Sequence, residues 1–313
     1  MSPKFDILGI GCATVDDLIR VAKYPAADVK LQVKGMERQF GGLTGTALVA
    51  AAKLGGKCAF GGMLGSDELS KSVEDNFIRY GIDVSHLVRR DDSRPIHAVI
   101  VVAEEEQTRT IFYEYEAPTG ADPSGPSEDA IGSAKVLFVD HLGLEGGIRA
   151  AKIAREAGIP IVSDLEEIHN PKFDELFDLV DHLVVSDDFA EELTGATDPL
   201  AAILGLWTPG RDSVVITGGR QGAWYASAEN RSPQYQPAFQ VKAVDTTGCG
   251  DVFHGAYALA LARGLDIHER VRFASAAAGL KATRAGGQIG APTEEELSLF
   301  LRKDSSPSTT MEN

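Results

Sequence analysis

Residues 245–255 read DTTGCGDVFHG, a glycine-rich turn that leads directly into an apolar helical run. Amides in the first turn of a helix have no internal acceptors, and glycine lets the backbone approach a ligand, so this turn is suited to bind an anion. Asp251 stands at the junction. A carboxylate there can cap the helix, but capping does not explain the glycines before it. The stretch therefore predicts phosphoryl transfer, with the turn holding phosphate and Asp251 accepting the proton of the attacking hydroxyl.

Composition limits the classes of function that remain. The chain has 313 residues, of which 43% are hydrophobic, enough for one large core. With 30 basic against 46 acidic residues, its net charge of −16 argues against nonspecific binding of nucleic acid or anionic membranes. The three cysteines are far apart, which predicts neither a zinc site nor a disulfide framework. Without a signal-peptide pattern or an apolar run of spanning length, we expect a cytoplasmic protein.

Short apolar runs alternate with helical patterns along most of the chain, which predicts a largely parallel sheet covered on both faces. The predicted strands cover residues 5–10, 58–64, 136–139, 159–163, 183–185 and 214–217. The predicted helices cover residues 44–54, 66–80, 147–157, 187–193, 251–263, 267–283 and 293–301. Ser66 is the expected cap of the second helix. We expect one domain over residues 1–302, followed by a disordered polar tail over 303–313.

Two segments break the alternating pattern. Residues 18–39 alternate in polarity without a helical period, and residues 96–103 with 109–115 predict a hairpin flanked by Pro95 and Pro118. Together they predict a small β sheet, built from about 14–40 and 94–118. Because a sheet of this size cannot bury both of its faces alone, we expect it to cover a site or to pair with a second subunit.

Other phosphate-binding motifs fit the chain poorly. It has no GxxxxGK[ST] motif, and residues 9–14 (GIGCAT) lack the final glycine of GxGxxG. Residues 41–46 read GGLTGT and form a second glycine-rich turn ahead of a helix, an arrangement that is also common in ordinary strand-to-helix connections.

Taken in order, these pieces resemble the PfkB (ribokinase-like) family of carbohydrate kinases over nearly the whole chain. Residues 245–255 are similar to the family's C-terminal signature, and 41–55 with 61–67 are similar to its N-terminal signature. Residues 271–278 and 283–287 resemble its nucleotide-side helix and loop, and the C-terminal third most resembles the sulfofructose kinase branch. The resemblance implies a ribokinase-like, Rossmann-type three-layer α/β/α domain with a small β-sheet lid. It also implies ATP with Mg²⁺ as donor, a sugar hydroxyl as acceptor, and a homodimer formed through the lid.

The resemblance also assigns roles to individual residues. Asp251 would be the general base, and the amides of Gly248, Cys249 and Gly250 would form the anion hole. The sugar side would be lined by Asp16, Thr14, Gly41, Gly42, Thr46 and either Asp140 or His141. The ATP side would be lined by Ser186, Thr217, Gly219, Gly222 and Ser275. A monovalent cation, K⁺ in many members, would lie at Asp245, Thr247, Arg284 and Gly286.

The chain departs from the family pattern at positions that would contact the acceptor sugar. Thr14 and Thr46 stand where the family usually has asparagine, and Leu142 stands where a sulfosugar kinase would have arginine. The usual Asn-x-x-Glu segment aligns with residues 186–189, which lack the glutamate, and the two aspartates there either substitute for it or simply begin a helix. Cys249 replaces the usual alanine, and its place at a helix N-terminus predicts a modestly sensitive thiol that ATP protects. The alternative is that Cys249 is a small buried residue that only fills space.

The leading hypothesis is therefore a kinase acting on a primary hydroxyl of a sugar or sugar derivative. A sugar-acid or sulfosugar kinase and a nucleoside kinase on the same fold stay open. For the nucleoside kinase, Phe112, Tyr113 and Tyr115 would supply a slot for the base. A ligand-binding homologue that has lost turnover is the alternative from another class.

Overall fold

A computed structural model describes residues 3–106 and 108–304 of the chain. Its strands are β1 (Phe5–Ile10), β2 (Thr14–Val21), β3 (Gly35–Gly41), β4 (Cys58–Phe60), β5 (Met63–Leu64), β6 (Val88–Arg89), β7 (Ile96–Ala103), β8 (Thr108–Glu114), β9 (Ala134–Asp140), β10 (Ile161–Asp164), β11 (His182–Ser186), β12 (Ser213–Thr217), β13 (Ala223–Ser227) and β14 (Gln234–Gln236). Its helices are α1 (Leu43–Lys53), α2 (Glu68–Arg79), α3 (Glu128–Ile131), α4 (Leu144–Glu156), α5 (Phe173–Leu179), α6 (Asp187–Thr194), α7 (Pro199–Gly205), α8 (Cys249–Ala262), α9 (Ile267–Ala282), α10 (Gly287–Gly290) and α11 (Glu294–Asp304).

The main sheet has eight strands in the order β14-β13-β12-β11-β10-β9-β1-β4. From β4 to β12 all neighbours pair in parallel, and β13 and β14 add an antiparallel edge. Successive apolar residues of a strand point to opposite faces. Ile7 thus packs into one core with α1, α8 and α9, whereas Leu8 packs into another with α4 and α7. The predicted sheet covered on both faces is confirmed.

The two segments that break the alternating pattern form a separate four-stranded sheet in the order β3-β2-β7-β8. The predicted hairpin is confirmed as the antiparallel pair β7–β8. β2 pairs in parallel with β7 and antiparallel with β3, so the two distant segments make one sheet. We call this sheet the lid.

Several local predictions were wrong. The predicted strand over 58–64 is two strands, because the chain turns at Gly62, where an added Cβ would lie 2.3 Å from the carbonyl oxygen of Gly11. The cap of α2 is Asp67, whose carboxylate accepts from Ser70 N at 2.9 Å, rather than Ser66. Four short helices of seven residues or fewer, α3, α5, α7 and α10, were not predicted from the sequence. α7 did carry a signal, since Asp198 caps it and Pro199 begins it.

The end of the chain differs slightly from the prediction. α11 continues to Asp304, so residues 303 and 304 are helical rather than part of the tail. The rest of the predicted tail, residues 305–313, lies outside the described residues. Within 3–106 and 108–304, no helix combines the length and the apolar character that crossing a bilayer requires.

Candidate active site

The glycine-rich turn folds as the sequence predicts, with its boundary two residues earlier. Gly248 is left-handed, with φ 74°, and α8 begins immediately after it. Asp251 is half-buried in the first turn of that helix. Gly250 is the second helical residue, so its amide has no acceptor within the helix. Two cavities meet at this turn.

The first cavity, of about 680 Å³, lies between the lid and the core. The lid contributes Asp16, Arg20 and Arg109 to its wall. Gly41, the last residue of the lid strand β3, is also part of the wall. The core contributes the predicted residues Gly42, Thr46, Gly248 and Asp251, together with Asp245, Thr247 and Gly286, which were predicted for the cation. Four of the residues predicted for the sugar, Asp16, Gly41, Gly42 and Thr46, therefore come together with the proposed base, although 205 positions separate Thr46 from Asp251.

The second cavity, of about 300 Å³, lies on the other side of the turn. Its wall contains the predicted ATP-side residues Thr217, Gly219, Gly222 and Ser275, together with Cys249 and Gly250. Phe239, Val241 and Ala278 add an apolar wall suited to a flat heterocycle. A larger cavity, of about 840 Å³, is lined by Arg155, His182 and Arg270 at the amino end of β11 and contains none of the predicted residues.

The electrostatic setting of Asp251 is unusual for an aspartate. Burial raises the pKa of Asp251 well above its usual value, the negative charge of Asp164 raises it further, and His254 opposes the rise. Asp164 itself is 3% exposed, and burial likewise raises its pKa. A perturbed carboxylate in a cleft is a recognised sign of a functional site. A raised pKa makes the ionised carboxylate a stronger proton acceptor, which suits a general base.

Asp16 is the acidic group on the lid side of the first cavity. Burial raises the pKa of Asp16 to about 6, against the charge of His97 and a hydrogen bond from Thr14. Asp17, the next residue, instead pairs with Arg38 and has a pKa of about 2. Because successive residues of a strand point to opposite faces, the side chains of Asp16 and Asp17 lie on opposite faces of the lid.

The lid contacts the core at the glycine-rich turn. Nη1 of Arg109, on β8, donates to Oγ1 of Thr247 at 2.5 Å. Asp245 holds the same turn, because its carboxylate accepts from the amides of Thr247 at 2.9 Å and Gly286 at 2.8 Å. Burial alone would raise the pKa of Asp245, but these hydrogen bonds and the charge of Lys281 bring it below its usual value. Asp245 is thus an ionised brace for the turn.

Four of the predicted residues, Thr14, His141, Ser186 and Arg284, do not line either cavity. The guanidinium of Arg284 instead donates to the carboxylate of Glu296 at 2.8 and 2.9 Å. Thr14 lies on the lid strand opposite Gly41, and its side chain bonds Asp16 instead. His141 is not among the lining residues; its Nδ1 is buried and has no partner among the described residues. Oγ of Ser186 accepts from Phe189 N at 3.1 Å and caps α6.

The alternative sugar contact, Asp140, has a different role. One carboxylate oxygen accepts from Cys12 N and from Thr44 Oγ1, both at 2.7 Å, and the other accepts from Leu142 N at 2.9 Å. Because Asp140 is fully buried and both oxygens are occupied, it braces the ends of β1 and β9 rather than facing a sugar.

Cys249 differs from its predicted role in two respects. Its amide donates to the carbonyl oxygen of Thr246 at 3.1 Å, so it closes the turn instead of pointing freely into a cavity. Its Sγ lies 3.6 Å from the carbonyl oxygen of Ala278, and burial raises the pKa of the thiol. The thiol sensitivity expected from the helix N-terminus therefore stays a prediction, because burial shifts the pKa of the thiol in the direction opposite to the expected lowering.

No group of three or more His, Cys, Asp or Glu side chains in the described part of the chain is arranged to hold a metal ion. Asp187 begins α6, and its carboxylate lies beside Gly218, in the turn that follows β12. Mg²⁺ in nucleotide sites is held by phosphate oxygens, water and one or two carboxylates, so the residues present fit a magnesium ion that enters with a nucleotide.

Comparison with known proteins identifies the family. The model of the pfkB family of carbohydrate kinases matches residues 6–294. This chain belongs to that family. It is 29% identical to a ribokinase of Haemophilus influenzae over 304 residues, covering 93% of this chain and 97% of the relative. It is 24% identical to the 5-dehydro-2-deoxygluconokinase of Bacillus subtilis, covering 96% and 97%. The chain is accordingly an ATP-dependent carbohydrate kinase.

Solved structures show the same fold. A crystal structure from Agrobacterium tumefaciens, assigned as a ribokinase, has a TM-score of 0.86 and 28% identity and covers 96% of this chain and 98% of its own. The ribokinase of Arabidopsis thaliana, solved with ribose and ATP, has a TM-score of 0.83 at 22% identity and covers 96% and 99%. The ribokinase-like α/β fold predicted for this pfkB-family chain is confirmed.

Three residues around the turn were not predicted from the sequence. Asp164 ends β10 at the same edge of the sheet as Asp140, so the rule that ligands gather at the carboxyl ends of strands could have found it. Arg109 lies on an exposed hairpin, where one sequence does not tell which strand face meets the core. Lys281 follows a run of alanines on α9 and is a visible charge in an otherwise small, apolar segment.

Proposed function

We propose that this pfkB-family kinase transfers the γ-phosphoryl group of ATP to a primary hydroxyl of a sugar or sugar derivative, with Asp251 as general base. The observation that carries the proposal is the position of the first turn of α8 between two cavities. Asp251 lines the first cavity, and Gly250 lines the second. A hydroxyl bound on one side and a triphosphate bound on the other would meet at this turn.

In the proposed reaction, the sugar oxygen forms a bond to the γ-phosphorus while the bond from that phosphorus to the bridging oxygen of ADP breaks. The hydroxyl proton passes to the carboxylate of Asp251. The amides of Gly248 and Gly250 would receive the charge that develops on the transferring group, because the Cys249 amide already bonds Thr246. Mg²⁺ bound with ATP would neutralise phosphate charge, and the Asp187 carboxylate beside Gly218 would be available to hold it.

The lining of the first cavity favours a polyhydroxylated acceptor. Asp16, Gln39 and Arg109 present hydrogen-bonding groups to it. The aromatic residues considered for a nucleobase, Phe112, Tyr113 and Tyr115, are 52%, 71% and 51% exposed. None of the three is among the residues that line the first cavity in the described part of the chain. A sugar or sugar acid therefore fits this site better than a nucleoside does, and relatives named ribokinase and fructokinase agree with that choice.

The test is an acceptor panel read by ADP release with Mg²⁺-ATP. It should include D-ribose, D-fructose, sugar acids, a sulfosugar and nucleosides, with Asp251→Asn as the blank. We expect one sugar or sugar acid to release ADP and the product to carry phosphate on a primary hydroxyl. A nucleoside as the best acceptor, or tight binding of a sugar without ADP release, would contradict the proposal.

We propose that the protein is a homodimer that associates through the lid. β8 is an edge strand of the lid, and its outer side pairs with no strand in the described part of the chain. Ile111, Phe112 and Tyr113 on that strand are 46%, 52% and 71% exposed. An exposed apolar edge strand tends to pair with a strand of another chain. In a symmetric dimer, that strand would be β8 of the second copy.

Sedimentation velocity would test the lid dimer. Phe112→Glu should shift the protein to monomer at micromolar concentration. Leu204→Glu, which changes a residue that is 64% exposed on α7, should leave the association state unchanged. A wild-type monomer at these concentrations, or a dimer insensitive to Phe112→Glu, would refute this assembly. The cytoplasmic location stays a prediction from the sequence.

A further inference from the structure

Lys281, the penultimate residue of α9, has a fully buried side chain. Its ammonium nitrogen donates to the carbonyl oxygen of Asp245 at 2.8 Å and lies 3.4 Å from that of Arg284. The Asp245 carboxylate lies 3.7 Å away. A buried ammonium is costly unless oxygen atoms and a counter-charge replace its water, and these three oxygens do so.

The oxygens that surround Lys281 belong to the residues expected to hold a monovalent cation. Asp245 and Arg284 are two of the four residues that the sequence analysis assigned to K⁺. A third, Gly286, donates its amide to the Asp245 carboxylate at 2.8 Å. A single positive charge therefore already lies among these oxygens, and it is covalently part of the chain. The residues present do not fit an additional K⁺ ion at the ammonium position.

We propose that the Lys281 ammonium is the resident cation of this junction and replaces an exchangeable monovalent cation, so that this kinase works without K⁺. The proposal rests on the proposed function for its activity readout. The ammonium joins the carbonyl of Asp245, which begins the catalytic turn, to that of Arg284, which begins the loop facing it. The turn leads within three residues to Gly248, so the lysine acts as a positioning residue for the start of α8.

A second lysine contacts the same loop and supplies a matched control. Nζ of Lys53, on α1, donates to the carbonyl oxygens of Gln288 at 3.3 Å and Ile289 at 2.9 Å. Lys53 is only half-buried. It contacts neither Asp245 nor Arg284 in the described structure. Replacing it removes one ammonium and two carbonyl contacts without opening a cation site at the turn.

The experiment compares wild type, Lys281→Ala and Lys53→Ala in chloride salts of K⁺, NH₄⁺, Na⁺ and tetramethylammonium at equal ionic strength. Thermal melting and sugar-dependent ADP release are both measured. Wild type should melt at the same temperature in all four salts and keep its kcat within about twofold. Lys281→Ala should melt lower in tetramethylammonium, regain several degrees in K⁺ or NH₄⁺, and regain activity by about tenfold or more. Lys53→Ala should show no preference among cations.

Activation of wild type by K⁺ of about tenfold or more over tetramethylammonium would overturn the proposal. So would a Lys281→Ala protein that responds to K⁺ no more than Lys53→Ala does. If Lys281→Ala does not fold, Lys281→Met can replace it, because methionine retains much of the side-chain volume. The comparison of wild type in the four salts also tests the proposal without any variant. The melting measurements need no turnover, so failure to find a sugar acceptor would count against the proposed function and leave this test standing.

Discussion

Nδ1 of His254 lies 3.3 Å from Oδ2 of Asp164, and both side chains are buried beside the proposed base. The same nitrogen is 2.8 Å from the carbonyl oxygen of Gly250, and Nε2 is 3.0 Å from that of Val184. Carbonyl oxygens only accept, and a neutral imidazole donates from one nitrogen only, so the imidazolium form satisfies both contacts. The charges of these two side chains act on Asp251 in opposite directions, since that of His254 lowers its pKa and that of Asp164 raises it.

These two charges should move the proton affinity of Asp251 in opposite directions. His254→Gln removes the positive charge, so the pKa of Asp251 should rise and the acidic limb of the kcat–pH profile should move to higher pH. Asp164→Asn removes the negative charge, so that limb should move to lower pH.

His268→Gln is the control for this pair, because His268 contacts the hydroxyl of Tyr225 on a different part of the fold. It should leave the profile unchanged. If His254→Gln and Asp164→Asn shifted the limb in the same direction, the electrostatic account would be wrong and a structural role would replace it.

Asp251→Asn removes the proton acceptor while keeping the size and shape of the side chain. We expect kcat to fall by about 10²–10⁴-fold, because that is the usual contribution of a positioned general base. The affinity for ATP, measured by calorimetry, should change little, since Asp251 lines the first cavity rather than the second. A variant with wild-type kcat would exclude Asp251 as the base.

Asp16 should make sugar binding depend on pH. If the ionised carboxylate accepts hydrogen bonds from sugar hydroxyls, protonation below its pKa of about 6 removes that acceptor. The KM for sugar should therefore rise as pH falls, by about tenfold at pH 5, where about a tenth of the group stays ionised. Asp16→Asn should give a high KM that no longer varies over this range.

Asp17→Asn provides the matched control for Asp16. Asp17 is adjacent in sequence, has a pKa of about 2, and pairs with Arg38. Its charge does not change between pH 5 and 7, so this variant should keep the wild-type pH dependence of KM. Loss of the dependence in Asp17→Asn would mean that the lid as a whole, rather than Asp16, responds to pH.

The contact between Arg109 and Thr247 should matter more for binding than for chemistry. Arg109→Gln removes the guanidinium that joins the lid to the glycine-rich turn. We expect KM for sugar to rise several-fold with a smaller fall in kcat, because the contact orders the lid over the cleft. Arg94→Gln breaks only a pair within the lid, with Glu114 at 3.3 Å, and should leave KM nearly unchanged.

The pair of Arg284 and Glu296 should contribute to stability in a pH-dependent way. Two hydrogen bonds of 2.8 and 2.9 Å from Arg284, with one from Thr293 N, lower the pKa of Glu296 to about 2. A depressed carboxyl pKa stabilises the fold above the unfolded value, about 4.3, and this contribution is lost as pH falls toward 2.

Glu296→Gln should therefore lower the free energy of unfolding at pH 7 by about 0.5–1 kcal/mol, a modest value because the pair is partly exposed. The difference from wild type, measured by urea unfolding, should shrink between pH 5 and 3. Glu295→Gln removes the same charge one residue earlier and should give a smaller effect. An unchanged difference across this range would contradict the linkage to Glu296.

The fold was largely predictable because each long element carries its own periodic pattern. β1, β7 and α9 were predicted within one residue at each end, since apolar runs and flanking glycines or prolines mark them locally. Short elements such as α5 and α7 were missed because seven residues give too few turns for a periodic signal. Their helical state depends on packing against the sheet.

The candidate site was likewise predictable only where its residues are neighbours in the sequence. By itself, the sequence determined the class of chemistry, because the turn, the open amides and Asp251 lie within seven consecutive residues whose conformation is local. Only the tertiary structure decided which groups surround that turn. Arg109 comes to Thr247 from 138 positions away, and Lys281 comes to Asp245 from 36. Such contacts depend on how sheets and helices pack, so a buried lysine in place of a free cation becomes visible only in three dimensions.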